Sequence, residues 1–341
     1  MATTYAIPDG RVAMAATTYT GNGTSQAVSN AVNGVSMQPD FVWTKTRNAA
    51  SSHRLTDSVR GVSLVLYSDG TYAEGTEAQG LLSFNTNGYT AGTGSSNQNG
   101  TTYVGWQWKA GGTAVSNTAG SITSSVSANT TAGFSVVTYT GTGANATVGH
   151  GLGVAPSMVI VKNRGAGNAW DIYTAMTGAN AYLSFTTAAV ASGLFPSVAT
   201  STVFSITGGA GGQGASGGTY VAYCFAPVAG YSAFGSYVGN GSNDGPFVYT
   251  GFRPRFLLIK NTTTAGTNWE IWDSARDLYN VESNRLYPDS SAAENGGQNA
   301  YDFLSNGFKA RQAGSTDTNQ SGATIIYAAF AENPFKYANA R

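Results

Sequence analysis

The sequence predicts an all-β protein of three tandem, diverged β-sandwich domains with a jelly-roll-like arrangement. The first observation is composition: 45 residues are glycine and only 10% are charged, against roughly 25% charged in ordinary soluble proteins. Glycine and asparagine accept the positive φ of tight turns, while Thr, Tyr, Phe and Val fill pleated surfaces. The second observation is that five short sequence blocks recur three times in the same order.

The first two blocks predict the entry to each repeat. An aromatic residue precedes a glycine-rich turn, and a proline later opens an apolar strand that ends in lysine. Proline suits the first position of a strand because it has no N–H to donate to the ladder. The copies read YTGNG (19–23), YTGTG (139–143) and YVGNG (237–241), then PDFVWTK (39–45), PSMVIVK (156–162) and PRFLLIK (254–260).

The other three blocks predict further strands. The third partly alternates apolar and polar residues, which is typical of a half-buried strand: RLTDSVR (54–60), WDIYT (170–174) and WEIWDSAR (269–276). The fourth carries an Asn-Gly hairpin signal in LSFNTNGY (82–89) and FLSNGF (303–308), and is reduced to VFSI (203–206) in the middle copy. The fifth is an aromatic closing strand: YVGWQWK (103–109), YVAYCFAP (220–227) and IYAAFAE (326–332).

Domain boundaries are predicted in the small-residue joints that follow each closing strand. The domains are then residues 1–112, 113–229 and 230–341, with the first as the candidate attachment end. Units of this length with frequent turns favour a sandwich over a propeller blade or a solenoid rung. Each is expected to hold five to eight strands and to close its own hydrophobic core.

Charge and cysteine content exclude several classes of partner. With 17 basic and 17 acidic residues and no basic cluster, the chain lacks what neutralising nucleic-acid phosphates requires. A single cysteine, Cys224, allows no internal disulfide and no thiolate cluster for a metal. The amino terminus lacks a signal-peptide pattern, and no stretch has the ~20 apolar residues of a membrane span. We therefore expect no cofactor, no metal, no nucleic-acid partner and no membrane insertion.

Few residues qualify as catalytic groups. His53 and His150 lie in different repeats without a cysteine or acidic partner at metal spacing, so a turn or surface role is expected for both. A glycosidase pair of carboxylates could be drawn from four acids of the third repeat, although structural roles are favoured. These are Glu270, Asp273, Asp277 and Glu282. The chain is accordingly predicted not to be an enzyme.

Aromatic side chains are the feature most open to a binding role. Tryptophan faces stack on sugar rings, and the indole N–H can bond a hydroxyl. The candidate ligand-contacting residues are Trp43, Trp170, Trp269 and Trp272, with Trp106 and Trp108 as further tryptophans in the closing strand. The competing interpretation is core packing, which recurrence at equivalent strand positions favours.

The third repeat resembles a domain found in tail-fibre-like and other virion proteins of tailed bacteriophages, many of them marine. The likeness covers residues 231–341, and it reaches the first two repeats only through the internal duplication. It rests on four segments: YVGNGSNDGPFVYTGFRPRFLLIK, WEIWDSARD, FLSNGFKAR and AAFAENPFKYANAR. The resemblance implies a role on the virion surface and carries over no catalytic residue.

We therefore expect a short tail fibre or fibre-tip protein that binds a host-surface receptor, a glycan above all, without catalysis. A capsid decoration or head-fibre protein is the alternative, and a glycan depolymerase is ranked last. The expected partners are other virion proteins and a host glycan or protein. A homotrimer is expected because virion appendages use cyclic symmetry, and the expected location is the virion surface after synthesis in the host cytoplasm.

Overall fold

The structure is a computed structural model that describes residues 5–209 and 212–334. Across these residues it has 26 β-strands, and its one helix is a short 3-10 turn at Gly10–Val12. Every strand pairing within the named sheets is antiparallel, and each large sheet belongs to one sequence repeat. The prediction of an all-β, multi-sandwich fold is confirmed.

The first repeat contains nine strands in three sheets. The large sheet has the order β1-β9-β3-β4, a smaller one has the order β2-β8-β7, and β5 pairs with β6. The strands are β1 (Met14–Thr20), β2 (Gln26–Ser29), β3 (Phe41–Thr46), β4 (Arg54–Asp57), β5 (Leu64–Val65), β6 (Gly75–Thr76), β7 (Leu81–Asn85), β8 (Gly88–Ala91) and β9 (Thr102–Trp108).

The second repeat contains ten strands. Its large sheet has the order β10-β11-β12-β19-β14-β15, and two-stranded sheets join β13 to β18 and β16 to β17. The strands are β10 (Val115–Asn117), β11 (Ser124–Asn129), β12 (Phe134–Thr140), β13 (Ala146–Gly149), β14 (Met158–Asn163), β15 (Asp171–Thr174), β16 (Ala181–Tyr182), β17 (Ala191–Ser192), β18 (Val203–Ile206) and β19 (Thr219–Phe225).

The third repeat contains seven strands, arranged in sheets of order β20-β26-β22-β23 and β21-β25-β24. The strands are β20 (Ser232–Val238), β21 (Phe247–Tyr249), β22 (Phe252–Asn261), β23 (Trp269–Asp273), β24 (Tyr301–Leu304), β25 (Gly307–Ala310) and β26 (Thr324–Pro334). Two of the three repeats thus hold more strands than the expected five to eight.

The three large sheets share a four-stranded core with one topology and one register, to which the second repeat adds β10 and β11 beside β12. In each, the closing strand lies between the strand of the first block and the strand that follows the proline, and the third-block strand lies outermost. The closing strand pairs in the same alignment each time: Trp43 lies opposite Trp106, Ile160 opposite Tyr223, and Leu258 opposite Ala328. The sequence repeat is therefore a structural repeat, and equivalent positions can be compared directly.

The recurring first glycine of the YxGxG block is required by a close backbone approach. A β-carbon at Gly21 would lie 2.2 Å from the carbonyl oxygen of Gln98. Equivalent β-carbons at Gly141 and Gly239 would lie 2.4 and 2.2 Å from backbone oxygens of the loop before the closing strand. No side chain fits at such distances, so the glycine allows the first-block strand and the closing strand of each repeat to pair.

The expectation that each repeat closes its own core holds in part: the first and second repeats each have a hydrophobic cluster of their own, but a larger cluster is shared by all three repeats. Each large sheet does bury one face against its own small sheets, but its other face packs at the centre of the molecule. Phe41 of the first repeat stacks on Tyr223 of the second with ring centroids 4.3 Å apart. Trp108 lies 5.3 Å from Phe256 and 5.7 Å from Phe330 of the third repeat. Because the large sheets are apolar on both faces, all three share one central aromatic core.

The loop that follows the third-block strand connects the repeats in a cyclic order. The Trp170 indole of the second repeat donates to the Tyr67 carbonyl of the first at 2.8 Å. The Trp269 indole of the third repeat donates to the Ser184 carbonyl of the second at 2.7 Å. The Ser51 N–H of the first repeat donates to the Ser291 carbonyl of the third at 2.8 Å. The repeats therefore form a closed ring, and we call them units 1, 2 and 3.

Candidate functional site

The four tryptophans proposed to contact a ligand lie in the core, and that prediction is corrected. Trp43 is 3% exposed, Trp170 and Trp269 are 1% exposed, and Trp272 is fully buried. Their indole N–H groups donate to internal acceptors: the first three to His53, Tyr67 and Ser184, and Trp272 to Glu270. The rings fill the space where units meet and offer no face to an external sugar.

Both histidines are also core residues, contrary to the expected turn or surface role. His53 is fully buried, and its Nδ1 accepts from the Trp43 indole at 2.9 Å. His150 Nε2 lies 3.1 Å from the Thr200 carbonyl, and its Nδ1 accepts from the Leu152 N–H at 3.2 Å. Burial lowers the pKa of both imidazoles. They are therefore held neutral as parts of the packing.

A buried ion-pair network crosses the junction between units 1 and 2. Arg60 binds Asp57 at 2.5 Å and Glu74 at 2.8 Å, and Glu74 also binds Arg164 of unit 2 at 2.7 Å. The Tyr223 hydroxyl of unit 2 donates to Asp57 at 2.9 Å. Every charge in the centre of this network therefore has a partner, as burial demands.

The junction between units 3 and 1 repeats that network position by position. Arg276 binds Asp273 at 2.6 Å and Glu294 at 2.9 Å, and Glu294 also binds Arg47 of unit 1 at 2.8 Å. The Trp106 indole of unit 1 donates to Asp273 at 2.9 Å, in the place of the tyrosine hydroxyl. Burial raises the pKa of Asp273, but the Arg276 ion pair outweighs this and holds it below its usual range.

The junction between units 2 and 3 has lost every one of these charges together. The equivalents of the aspartate and arginine are Thr174 and Thr177, where the Thr177 N–H donates to Thr174 Oγ1 at 3.2 Å. The equivalent of the bridging glutamate is Val190, whose N–H donates to the Thr262 carbonyl at 3.4 Å. The ring is thus closed by two charged junctions and one neutral junction.

The lysine that ends each proline strand is buried and anchors a loop. Lys45 donates to the Thr46 and Ser291 carbonyls at 3.0 and 3.2 Å, and Lys260 donates to Thr267. Lys162 donates to the Thr71 carbonyl at 3.1 Å and to the Asn168 carbonyl. Burial lowers the pKa of each of these amines to about 8. Two of the three lysines therefore hold a loop of a neighbouring unit.

The four acids considered for glycoside hydrolysis are internal groups of unit 3. Asp273 belongs to the junction network, and Glu270 pairs with Arg285 at 2.8 Å. Asp277 Oδ2 accepts the N–H groups of Ser283 and Asn284, each at 2.8 Å. The fourth, Glu282, is fully buried, and neither of its carboxyl oxygens has a hydrogen bond within the described part of the chain.

Glu282 should make stability depend on pH. Burial, then Asp277 and Asp273, raise its pKa to about 9. The folded state keeps a proton that the unfolded chain releases near pH 4.5, so this contribution to stability is present at low pH and is lost as pH rises towards 9. We expect Glu282→Gln to reduce the fall in unfolding free energy between pH 5 and 8 by up to about 1.4 kcal/mol per pH unit, measured by urea unfolding.

The exposed Asp244 provides the control for that experiment. Its hydrogen bond with Lys309 lowers its pKa, so its titration ends below the tested range. Asp244→Asn should leave the slope between pH 5 and 8 unchanged. Equal slopes for the wild type and Glu282→Gln would contradict the assignment.

Cys224 is a packed core residue. It lies in β19 with its thiol buried, and burial raises the pKa of that thiol to about 12. Thiolate reactivity needs the opposite environment. In the alignment of the repeats, Cys224 is equivalent to Gln107 of unit 1, which is also fully buried. Both side chains therefore belong to the interior of the protein.

Unit 2 contains two polar depressions that sequence reasoning did not identify. One is a pocket of about 250 Å³ between β15 and the β16–β17 hairpin, lined by Asn168, Ala169, Asp171, Tyr182, Ser184, Ser192, Gly193 and Leu194. The other is a wider cleft of about 390 Å³, lined mainly by hydroxyl side chains such as Thr138 and Thr140. The only signal in the sequence for the pocket beside β15 would have been an alignment of the three repeats in register.

The described residues contain no group of three or more His, Cys, Asp or Glu side chains that could hold a metal ion. The same residues include no helix with the length and apolar character needed to span a membrane.

In comparison with known proteins, no curated protein and no solved structure matched the chain. A family model described as a domain of unknown function, DUF7483, matches residues 12–334 and so runs through all three units of the ring. The chain belongs to the DUF7483 family.

Proposed function

We propose that the chain is a non-catalytic structural protein of a tailed-phage virion, a short tail fibre or fibre-tip protein that binds a host-surface glycan. The observation that carries the proposal is the closed ring of three equivalent β-sandwich units around one aromatic core. Such a scaffold is rigid, and rigid scaffolds present recognition loops. Its surface chemistry is that of Ser, Thr, Asn and Gly more than of charge, which suits hydroxyl-rich ligands.

The arrangement of the units supports a place on a threefold axis. A closed ring with the same topology three times over presents three related faces, as a cyclic trimer does. A single chain therefore matches a threefold stalk or socket without further copies. The likeness of residues 231–341 to phage virion domains agrees with such a position. A homotrimer would be a different arrangement, with three copies of the ring about the axis, and it stays a prediction.

Capsid decoration is the second candidate, and the same ring favours it. One copy of a pseudo-threefold body can occupy a local threefold position of a shell, with one end of the ring bound and the other exposed. A glycan depolymerase gains no support, because Glu270, Asp273 and Asp277 are engaged in internal bonds and Glu282 is fully buried.

Particle labelling tests the proposal. Virions from an infected culture whose phage encodes this chain would be purified, analysed by mass spectrometry, and labelled with gold-conjugated antibody against the recombinant protein. We expect the chain in the particles and the label at the tail tip. Label on the head would favour decoration, and absence of the chain from purified particles would contradict both candidates.

A further inference from the structure

One position of the third-block strand carries a charged residue in every unit, but among the described residues it has an ion-pair partner in only two of them. The first residue of β4 in unit 1 is Arg54, which binds Glu77 at 3.2 Å. Its equivalent in β23 of unit 3 is Glu270, which binds Arg285 at 2.8 Å. In unit 2 the equivalent is Asp171, and no hydrogen bond or ion pair within the described residues reaches its carboxylate. The equivalent residues of units 1 and 3 thus have ion-pair partners, whereas Asp171 of unit 2 has none among the described residues.

The sequence of unit 2 explains why the acid faces a pocket. Strand pairing aligns Val65 with Tyr182 and Arg285, since these residues lie opposite Gly75, Ala191 and Asn295 in the three hairpins. The position of Glu77 is then occupied by Gly193. Unit 2 therefore has Tyr182 where unit 3 has Arg285, and it has Gly193 where unit 1 has Glu77. A β-carbon at Gly193 would meet nothing within 4 Å, so the space where Glu77 projects in unit 1 is open.

The charge and the polar lining of the pocket limit the kinds of ligand that it can bind. Burial raises the pKa of Asp171 to about 7, and the positive charge of Lys162 opposes that rise. A single acid whose charge is partly offset by an ammonium disfavours both a metal cation and a phosphate as the occupant. The remaining polar lining consists of hydroxyl and amide side chains: Tyr182, Ser184, Ser192 and Asn168. These groups both donate and accept hydrogen bonds, as a polyol does.

The volume of the pocket indicates a ligand that consists of one small cyclic group. Pockets for drug-sized ligands occupy about 300–1,000 Å³, and this one is about 250 Å³. Ser192 and Gly193 at its rim are exposed, so a ligand can enter from solvent and the rest of a chain can remain outside.

We infer that this pocket of unit 2 binds a neutral monosaccharide unit, with the Asp171 carboxylate accepting hydrogen bonds from two sugar hydroxyls and Tyr182, Ser184, Ser192 and Asn168 completing the polar contacts. The inference rests on the proposed function, to which it adds a ligand class and a site. It replaces the buried tryptophans as the place of glycan contact.

The test uses the full chain and methyl glycosides of glucose, galactose, mannose and N-acetylglucosamine at millimolar concentration. Binding is measured at pH 8, above the pKa of Asp171, by saturation-transfer NMR and by thermal shift. We expect at least one glycoside to bind the wild type. Asp171→Asn should weaken that binding about 10- to 100-fold, because a charge-assisted hydrogen bond is lost. Thr140→Ala in the wider cleft is the matched control and should bind as the wild type does.

Asp171→Asn is isosteric, and far-ultraviolet circular dichroism and the melting temperature of each variant establish that it is folded. Absence of binding by the wild type to all four probes overturns the pocket inference. Unchanged binding by Asp171→Asn, or a loss confined to Thr140→Ala, overturns it as well. Particle labelling decides the proposed function separately, because the protein can be found at the tail tip whatever the outcome of the sugar titration.

Discussion

The middle unit expressed alone, residues 113–229, is expected to remain unfolded under conditions in which the full chain is native. Its share of the central core includes Phe134, Met158, Ile160, Tyr223 and Phe225, all buried against other units in the full chain. Burial of one such side chain is worth about 1.5–3 kcal/mol, so isolation forfeits roughly 10 kcal/mol. That loss is as large as the whole stability of a typical domain, about 5–15 kcal/mol.

Circular dichroism, differential scanning calorimetry and dispersion of the one-dimensional proton NMR spectrum would measure this. The full chain, as the control, should unfold in one calorimetric transition. A sharp cooperative transition for the isolated unit, or three separate transitions for the full chain, would show that the units are independent domains after all.

Breaking one charged junction should have the second largest effect. Asp273→Ala leaves the Arg276 guanidinium buried with only Glu294 as counter-charge, and leaves the Trp106 indole N–H without its acceptor. Removing one partner of a buried ion pair costs about 3–5 kcal/mol. We expect a loss of that size in the unfolding free energy, measured by guanidinium denaturation.

The neutral junction supplies the matched control. Thr174→Ala removes the equivalent side chain, whose oxygen accepts only neutral donors, and should cost about 1 kcal/mol. Combining Asp273→Thr, Arg276→Thr and Glu294→Val with Arg47→Thr, which matches Thr262, copies the neutral set and should recover much of the loss, because no charge of the network is then left unpaired. Similar small losses at both junctions would refute the assigned role of the ion pairs.

Alternation and repeats predicted the strands well because both depend on local sequence. Hairpins formed at both Asn-Gly sites, with two-residue loops at 86–87 and 305–306 and with the glycine as the first residue of the second strand. The lysine at the end of the proline strand was visible as a pattern. Its burial was not, because the carbonyls that bind Lys45 and Lys162 belong in part to other units.

The expected tryptophan sites failed for a related reason. Some strands bury both faces, and others bury one face and present aromatic residues to a ligand on the other. The two kinds of strand can have the same amino-acid composition. Trp43 and Trp269 pack on Phe185 of unit 2 at ring distances of 5.7 and 5.4 Å, and this loop residue lies far from both in the sequence. No spacing rule places a residue of the second unit between tryptophans of the first and third.

The sequence by itself determined the all-β class, the threefold duplication, the glycine turns and the Asn-Gly hairpins, because these follow from backbone preferences and from patterns within a few residues. The tertiary structure alone decided that the units close into a ring around one core, that two junctions are charged and one is neutral, and that Asp171 faces an open pocket. Those features depend on which side chains meet across large sequence separations, where burial and charge pairing act and local propensity carries no information.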